Sequence, residues 1–219
     1  LRVIYDAAQA FGVRYHSGSV LTHGDLSVLS FHATKVFNTF EGGAIISNDS
    51  STKSKIDQLK NFGFTGETSV DLIGINGKMN EFSAALGLSQ LKYIDIDIEK
   101  RKAIDEVYRE GLKNISGIRC HVNSDALKSN YGYFPIFVKD CYPLTRDQLY
   151  NKLKEHGING RRYFYPLITD FSIYRKILNN VDLDLTVAKT VSNQVICLPI
   201  YSEMKLETAK KVLNIIESG

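Results

Sequence analysis

Apolar positions fall in short β-branched runs early in this chain and in wider, helix-like spacings later. Residues 2–5 form one such run, ending at Asp6. The small residues Ala7, Ala8 and Ala10 follow, around Gln9. This predicts a buried strand leading into a loop or a helix start. Val28 to Phe31 predicts a second short strand. Ala44 to Ser47, entered through Glu41-Gly42-Gly43, predicts a third. Residues 12–25, rich in Gly, Ser and His, read as loop. Ile56 and Leu59, three apart amid Lys and Asp, predict a helix over 51–60. Residues 61–79 are glycine-rich and irregular, a long loop of the kind that carries function or an interface. Asn80 reads as the N-cap of a long helix whose apolar side carries Phe82, Ala85, Leu86 and Leu91. It reaches about residue 114, with a break near 95–97.

The rhythm then changes. Tyr131 to Val138 alternates like a strand, and a further strand is predicted near 195–200. Helices are predicted near 144–155, 184–194 and 205–217. The fold class expected is α/β, with a boundary inside the long helix. Residues 1–100 form one domain and residues 101–219 a smaller α+β domain. Neither an internal repeat nor a low-complexity tract is present.

Composition narrows the function classes. Of the 219 residues, 43% are hydrophobic, enough for a sizeable core. The net charge of +3 is too slight for a nucleic-acid surface, and no basic stripe is interleaved with aromatics. Cys120, Cys141 and Cys197 lie far apart, with no C-x-x-C pair and no Cys/His ligand spacing. They predict reduced thiols in a cytosolic protein, and no metal site. No apolar run approaches the length of a transmembrane helix, so no membrane partner is expected. The chain opens in mid-strand without a methionine, which predicts further sequence upstream.

Candidate chemistry gathers before residue 44. Asp6 ends a strand, where open α/β sheets place ligand-binding groups. Lys35 follows in Ser30-Phe31-His32-Ala33-Thr34-Lys35, and Gly42-Gly43 permit a tight return into the sheet. These residue types suit pyridoxal 5'-phosphate. Its aldehyde needs a lysine amine, its pyridine nitrogen a carboxylate, and its phosphate hydroxyl or N–H donors such as Ser30. Gln9 could bond the ring hydroxyl, and Ala8 is small enough to let the ring lie flat.

Asp6-Ala7-Ala8-Gln9-Ala10-Phe11-Gly12, then Ser30 through Lys35, then Glu41-Gly42-Gly43-Ala44, closely resemble the DegT/DnrJ/EryC1/StrS aminotransferase family. So do Gly74 through Phe82 with Ala84-Ala85, Gly157 through Arg161 with Tyr165-Pro166-Leu167, and Leu198-Pro199-Ile200-Tyr201. Each piece is weak alone. The ordered set spans nearly the whole chain and is specific.

The resemblance implies the later part of a fold-type I large domain followed by a small domain. It implies a pyridoxal-phosphate-dependent transaminase that moves an amino group from glutamate to a nucleotide-diphosphate-linked keto-6-deoxysugar. Such an enzyme would serve cytoplasmic deoxysugar biosynthesis for lipopolysaccharide O-antigen. Lys35 would be the Schiff-base lysine and proton carrier, Asp6 the pyridine partner, Gln9 the ring-oxygen partner and Ser30 a phosphate ligand. Asn76 would reach the phosphate of a neighbouring subunit in a homodimer. His32, Arg161 and Tyr165 are candidate substrate contacts. Two departures stand out. Ile168-Thr169 follows the Pro-Leu pair where the family often has histidine. The family's upstream Gly-Ser/Thr phosphate loop and ring-stacking aromatic are absent, so these residues alone are expected to be an incomplete enzyme.

Structural readings stand beside these. Asp6 could be a helix N-cap, Ser30 a strand end, Asn76 a turn former and His32 a local packing residue. Arg161 and Tyr165 could be surface groups. Three other functions remain open: a dehydratase of the same family, an inert or regulatory fragment, and an enzyme acting on a cyclitol. The dehydratases carry histidine in place of the lysine, so Lys35 argues against the first.

Overall fold

The computed structural model describes residues 1–16, 18–122, 124–178 and 184–219. Strands occur in the order β1 (Ile4–Asp6), β2 (Arg14–Tyr15), β3 (Gly18–Ser19), β4 (Leu26–Ser30), β5 (Gly43–Ser47), β6 (Ile118–Cys120), β7 (Leu127–Lys128), β8 (Phe134–Val138) and β9 (Val195–Leu198). The helices are α1 (Ser50–Leu59), α2 (Glu81–Gln90), α3 (Ile94–Leu112), α4 (Arg146–Glu155), α5 (Ser172–Leu178), α6 (Thr186–Gln194) and α7 (Leu206–Glu217). The chain divides into two compact units. One is 1–98 with 124–132; the other is 99–123 with 133–219.

The first unit holds a sheet ordered β1-β4-β5, with β1 parallel and β5 antiparallel to β4. Side chains alternate across a strand, so its two faces differ. Leu29, Ala44 and Ile46 enter a core with Ala7, Phe11, Phe31 and Phe37. Ile4, Val28 and Ile45 lie on the opposite, open face and are exposed. A small second sheet pairs β2 with β3 and β7.

Local chemistry sets the helix starts. The Asp49 carboxylate accepts the Thr52 N–H at 2.8 Å and the Ser51 hydroxyl at 2.7 Å, and so caps α1. These bonds favour the charged form and hold its pKa far below the usual carboxylate range. Asn80 caps α2 by accepting the Ser83 N–H at 2.9 Å, as its sequence position suggested. The expected break in the long helix is real but falls earlier, at 91–93. Asp95 and Asp97 instead enter the first turn of α3, where the helix dipole favours carboxylates.

Residues 61–79 form an irregular loop tied down by backbone bonds, including Phe62 N–H to the Ile75 carbonyl at 3.0 Å and Ile75 N–H to the Leu59 carbonyl at 2.8 Å. Its glycine content follows from close approach. Gly63 has a φ of +83°, and a Cβ there would lie 1.7 Å from the Leu72 carbonyl oxygen.

The second unit packs helices against an antiparallel sheet ordered β6-β8-β9. Ile104, Tyr108, Phe134, Ile136, Leu149 and Ile196 are buried there. On α7, Ala209, Val212, Ile215 and Ile216 are buried, the spacing of an amphipathic helix. No helix among the described residues is long and apolar enough to cross a membrane.

Candidate active site

Asp6 closes β1 beside Val28 of β4, and the Ala7 N–H extends the pairing to the Val28 carbonyl at 2.9 Å. Ser30 is two residues further along β4, hence on the same face, with the two Cα atoms roughly 8 Å apart. Both strands run parallel, so both residues sit at carboxyl ends on the open face. One Asp6 carboxylate oxygen accepts the Ala8 N–H at 3.1 Å. Its other oxygen has no partner among the described residues. Ala8 is half-buried and Gln9 exposed.

The turn after Asp6 is held from far along the sequence. Asn130, only 6% exposed, donates to the carbonyls of Gln9 and Phe11, both at 2.8 Å. Its own carbonyl accepts the Gly132 N–H at 3.0 Å. The buried Asn130 amide thus satisfies its own donors and acceptor on backbone groups of the turn and of Gly132.

Lys35 sits in a closed loop. Phe31 N–H reaches the Gly42 carbonyl at 2.8 Å, Ala33 N–H the Phe40 carbonyl at 2.7 Å, and Thr39 N–H the Phe31 carbonyl at 2.9 Å. Buried Phe31 and Phe37 anchor it on either side of the lysine. Their rings meet edge-on at 4.9 Å, and Phe37 stacks on Phe11 at 4.3 Å. The return strand approaches closely: a Cβ on Gly43 would lie 2.6 Å from the Leu29 carbonyl oxygen. Lys35 is half-buried, and its amine has no hydrogen bond or ion pair among the described residues. A long side chain fixed at its backbone but unpartnered at its tip has an amine free to bind a ligand.

Asn76 belongs to the same unit but lies in the 61–79 loop, bridged to Asn61 through the backbone. Its exposed amide has no partner among the described residues, and no contact joins it to Asp6, Ser30 or Lys35. Ile73 and Ile75 in the same loop are 99% and 70% exposed, and Phe82 on α2 is 91% exposed. Exposed apolar surface thus runs from this loop onto the start of α2.

In the second unit, Arg161 pairs its backbone with Cys197 on the free edge of β9, at 3.0 and 2.7 Å. It borders a cleft of about 880 Å³ that also involves Arg162, Tyr163, Tyr165 and Thr169. The Tyr165 ring carries two guanidinium groups, Arg146 at 4.3 Å and Arg162 at 5.4 Å. Asp147 pairs with both, at 2.7 and 2.9 Å. Partial burial pushes the Asp147 carboxyl pKa up, but Arg162 and Arg146 outweigh it and leave it below the ordinary value. Arg161 differs. It contacts the Tyr163 hydroxyl and ring but meets no carboxylate among the described residues. It is therefore the cleft arginine whose charge is left for an anion. Cys197 nearby is no nucleophile: burial pushes its pKa to about 11, so the thiol stays protonated.

Sequence reasoning had no signal for Asn130, which acts across more than a hundred residues, nor for the Arg146–Asp147–Arg162 cluster.

The model of the DegT/DnrJ/EryC1/StrS aminotransferase family matches residues 1–217. A dTDP-4-amino-4,6-dideoxy-D-glucose transaminase of Shigella dysenteriae is 50% identical over 216 residues, 99% of this chain and 58% of the relative. The Escherichia coli protein of the same name is 46% identical over 217 residues, with coverage of 99% and 58%. A crystal structure of DesI in the presence of its TDP-sugar product superposes with a TM-score of 0.90 at 29% identity, covering 100% of this chain and 55% of that one. The chain thus spans about 58% of the length of the curated relatives it matches.

Proposed function

Since this chain belongs to the DegT/DnrJ/EryC1/StrS aminotransferase family, we propose that its protein transfers an amino group from glutamate to a nucleotide-diphosphate-linked keto-6-deoxysugar, using pyridoxal 5'-phosphate. The sugar assignment rests on the dTDP-sugar transaminases among its relatives. One observation supports the cofactor: Lys35, Asp6 and Ser30 each keep a free valence of the required kind. The Lys35 amine is unpartnered. Asp6 spends one oxygen on Ala8 and keeps the other. Ser30 accepts the His32 N–H at 3.3 Å, so its own hydroxyl proton remains to donate. These residues fit the group.

Bound there, pyridoxal phosphate supplies an electron sink for breaking a bond at the amino-bearing carbon. Asp6 accepts from the pyridine nitrogen and keeps it protonated. Ser30 donates to the phosphate, Gln9 to the ring oxygen, and half-buried Ala8 walls one side. Lys35 Nζ would hold the cofactor through its aldehyde and, when free, would be the group placed to carry a proton. Arg161, with its uncompensated charge, takes the sugar diphosphate, and Tyr165 contacts the same substrate. We place the enzyme in the cytoplasm, in deoxysugar supply for lipopolysaccharide O-antigen.

The test is direct. The natural protein, mixed with pyridoxal phosphate, should absorb in the visible. With glutamate and a dTDP-4-keto-6-deoxysugar it should yield an amino-sugar nucleotide, read by mass spectrometry. Absorbance without amination of any nucleotide keto sugar would leave a cofactor protein of another function.

The homodimer is part of the same proposal. Asn76, in a loop that also exposes Ile73 and Ile75, reaches the cofactor phosphate of its neighbour. Mixed dimers of Lys35→Ala and Asn76→Ala subunits should then recover activity, because one of their two sites is intact. Verified mixed dimers that stay inactive would count against this arrangement.

A further inference from the structure

The segment between Ser30 and Lys35 is held by side chains that reach two residues ahead. Ser30 accepts the His32 N–H at 3.3 Å. His32 Nδ1 in turn lies 3.2 Å from the Thr34 N and 2.9 Å from the Thr34 hydroxyl. A backbone N–H can only donate, so Nδ1 must be the acceptor and carry no proton. The proton of the neutral ring then sits on Nε2, which faces a Glu41 carboxylate oxygen at 3.8 Å. The His32 carbonyl meanwhile accepts the Lys35 N–H at 2.9 Å. Both ends of His32 therefore grip the turn that presents the lysine, one through the ring and one through the backbone.

We propose that His32 is a positioning residue for Lys35: its Nδ1 fixes the Thr34 N–H and so sets the turn from which the lysine amine projects. This assigns His32 a role other than substrate contact. Nδ1 is occupied by Thr34, and Nε2 is turned toward Glu41. The ring fits this task better than a core role, since its side chain is 49% exposed and packs no interior. A lysine has four rotatable carbons, so the precision of its amine depends on the backbone beneath it. Phe31 and Phe37 anchor the loop at its base, but between them the Thr34 amide has no other acceptor among the described residues.

Two near-isosteres separate the ring nitrogens. In His32→Asn the amide oxygen can occupy the place of Nδ1 and accept the Thr34 N–H. In His32→Gln the amide lies one carbon further out, near the place of Nε2. The proposal rests on Lys35 being the cofactor lysine, so Lys35→Ala serves as reference. In the natural protein, hydrogen exchange of the Thr34 amide should be about fivefold faster in His32→Gln, the loss of one hydrogen bond, and near wild type in His32→Asn. The fraction of pyridoxal phosphate trapped by borohydride at limiting cofactor should follow the same order, with unchanged melting temperatures in both variants. Asn and Gln variants that behave alike in either readout overturn the proposal. If Lys35→Ala still traps cofactor, the cofactor-lysine reading has failed and takes this one with it. If Lys35→Ala loses trapping while Asn and Gln match, only the role of His32 falls.

Discussion

Replacing Lys35 by alanine in the natural protein is expected to lower amino transfer by at least about a thousandfold and to leave no cofactor on the chain after borohydride reduction. The size follows from the number of tasks the amine performs. On the proposed reading the amine would hold the cofactor and would also be the group that carries a proton. No neighbour can substitute. His32 is committed to Thr34 and Glu41, and arginine could not deprotonate to attack. The backbone should tolerate the change, because the loop is held by Phe31, Phe37 and main-chain bonds rather than by the lysine tip. Peptide mapping of reduced wild-type protein decides the matter. Cofactor recovered on a peptide lacking Lys35 would sink the assignment.

Asp6→Asn should cut the rate by roughly 100-fold or more while changing cofactor affinity much less. Asparagine keeps an oxygen for the Ala8 N–H, so the turn after β1 survives. On the proposed reading it would lose the negative charge that keeps the pyridine nitrogen protonated, since an NH₂ group donates and cannot accept there. Ser30 and Lys35 would still be in place to hold the cofactor. Rate and affinity measured side by side distinguish this from simple damage. Near-normal turnover would refute the electrostatic role, and a parallel collapse of binding would point to a structural one.

Much of this was readable from residue types. Local signals did best: the Asn80 cap of α2, the short runs at β4 and β5, the alternation of β8, and the helix near 205–217, seen as α7. The break expected near 95–97 falls at 91–93, because Asp95 and Asp97 sit in the first turn of α3, where the helix dipole favours carboxylates. Short pieces such as β6 and α5 had too little pattern to register. For the site, the sequence supplied Asp6, Ser30 and Lys35 as candidates, but not their spent and unspent valences. The hydrogen bond that the His32 N–H donates to the Ser30 hydroxyl oxygen depends on a loop closed by Phe31 and Gly42. Asn130 was invisible for a different reason. An asparagine near other polar residues looks like any loop residue until the chain folds back and hands it two carbonyls.

That return has a consequence for anyone who would dissect this protein. The backbone passes from one unit to the other three times, after residues 98, 123 and 132. No single cut can therefore release the first unit whole. A product ending at Ile98 would keep Asp6, Ser30, Lys35 and Asn76 yet forfeit Asn130, and with it the clamp on Gln9 and Phe11. A nick at any one passage would divide the chain, yet at least one of the two fragments would carry pieces of both units. Domain boundaries drawn as one line through such a chain separate names, not parts.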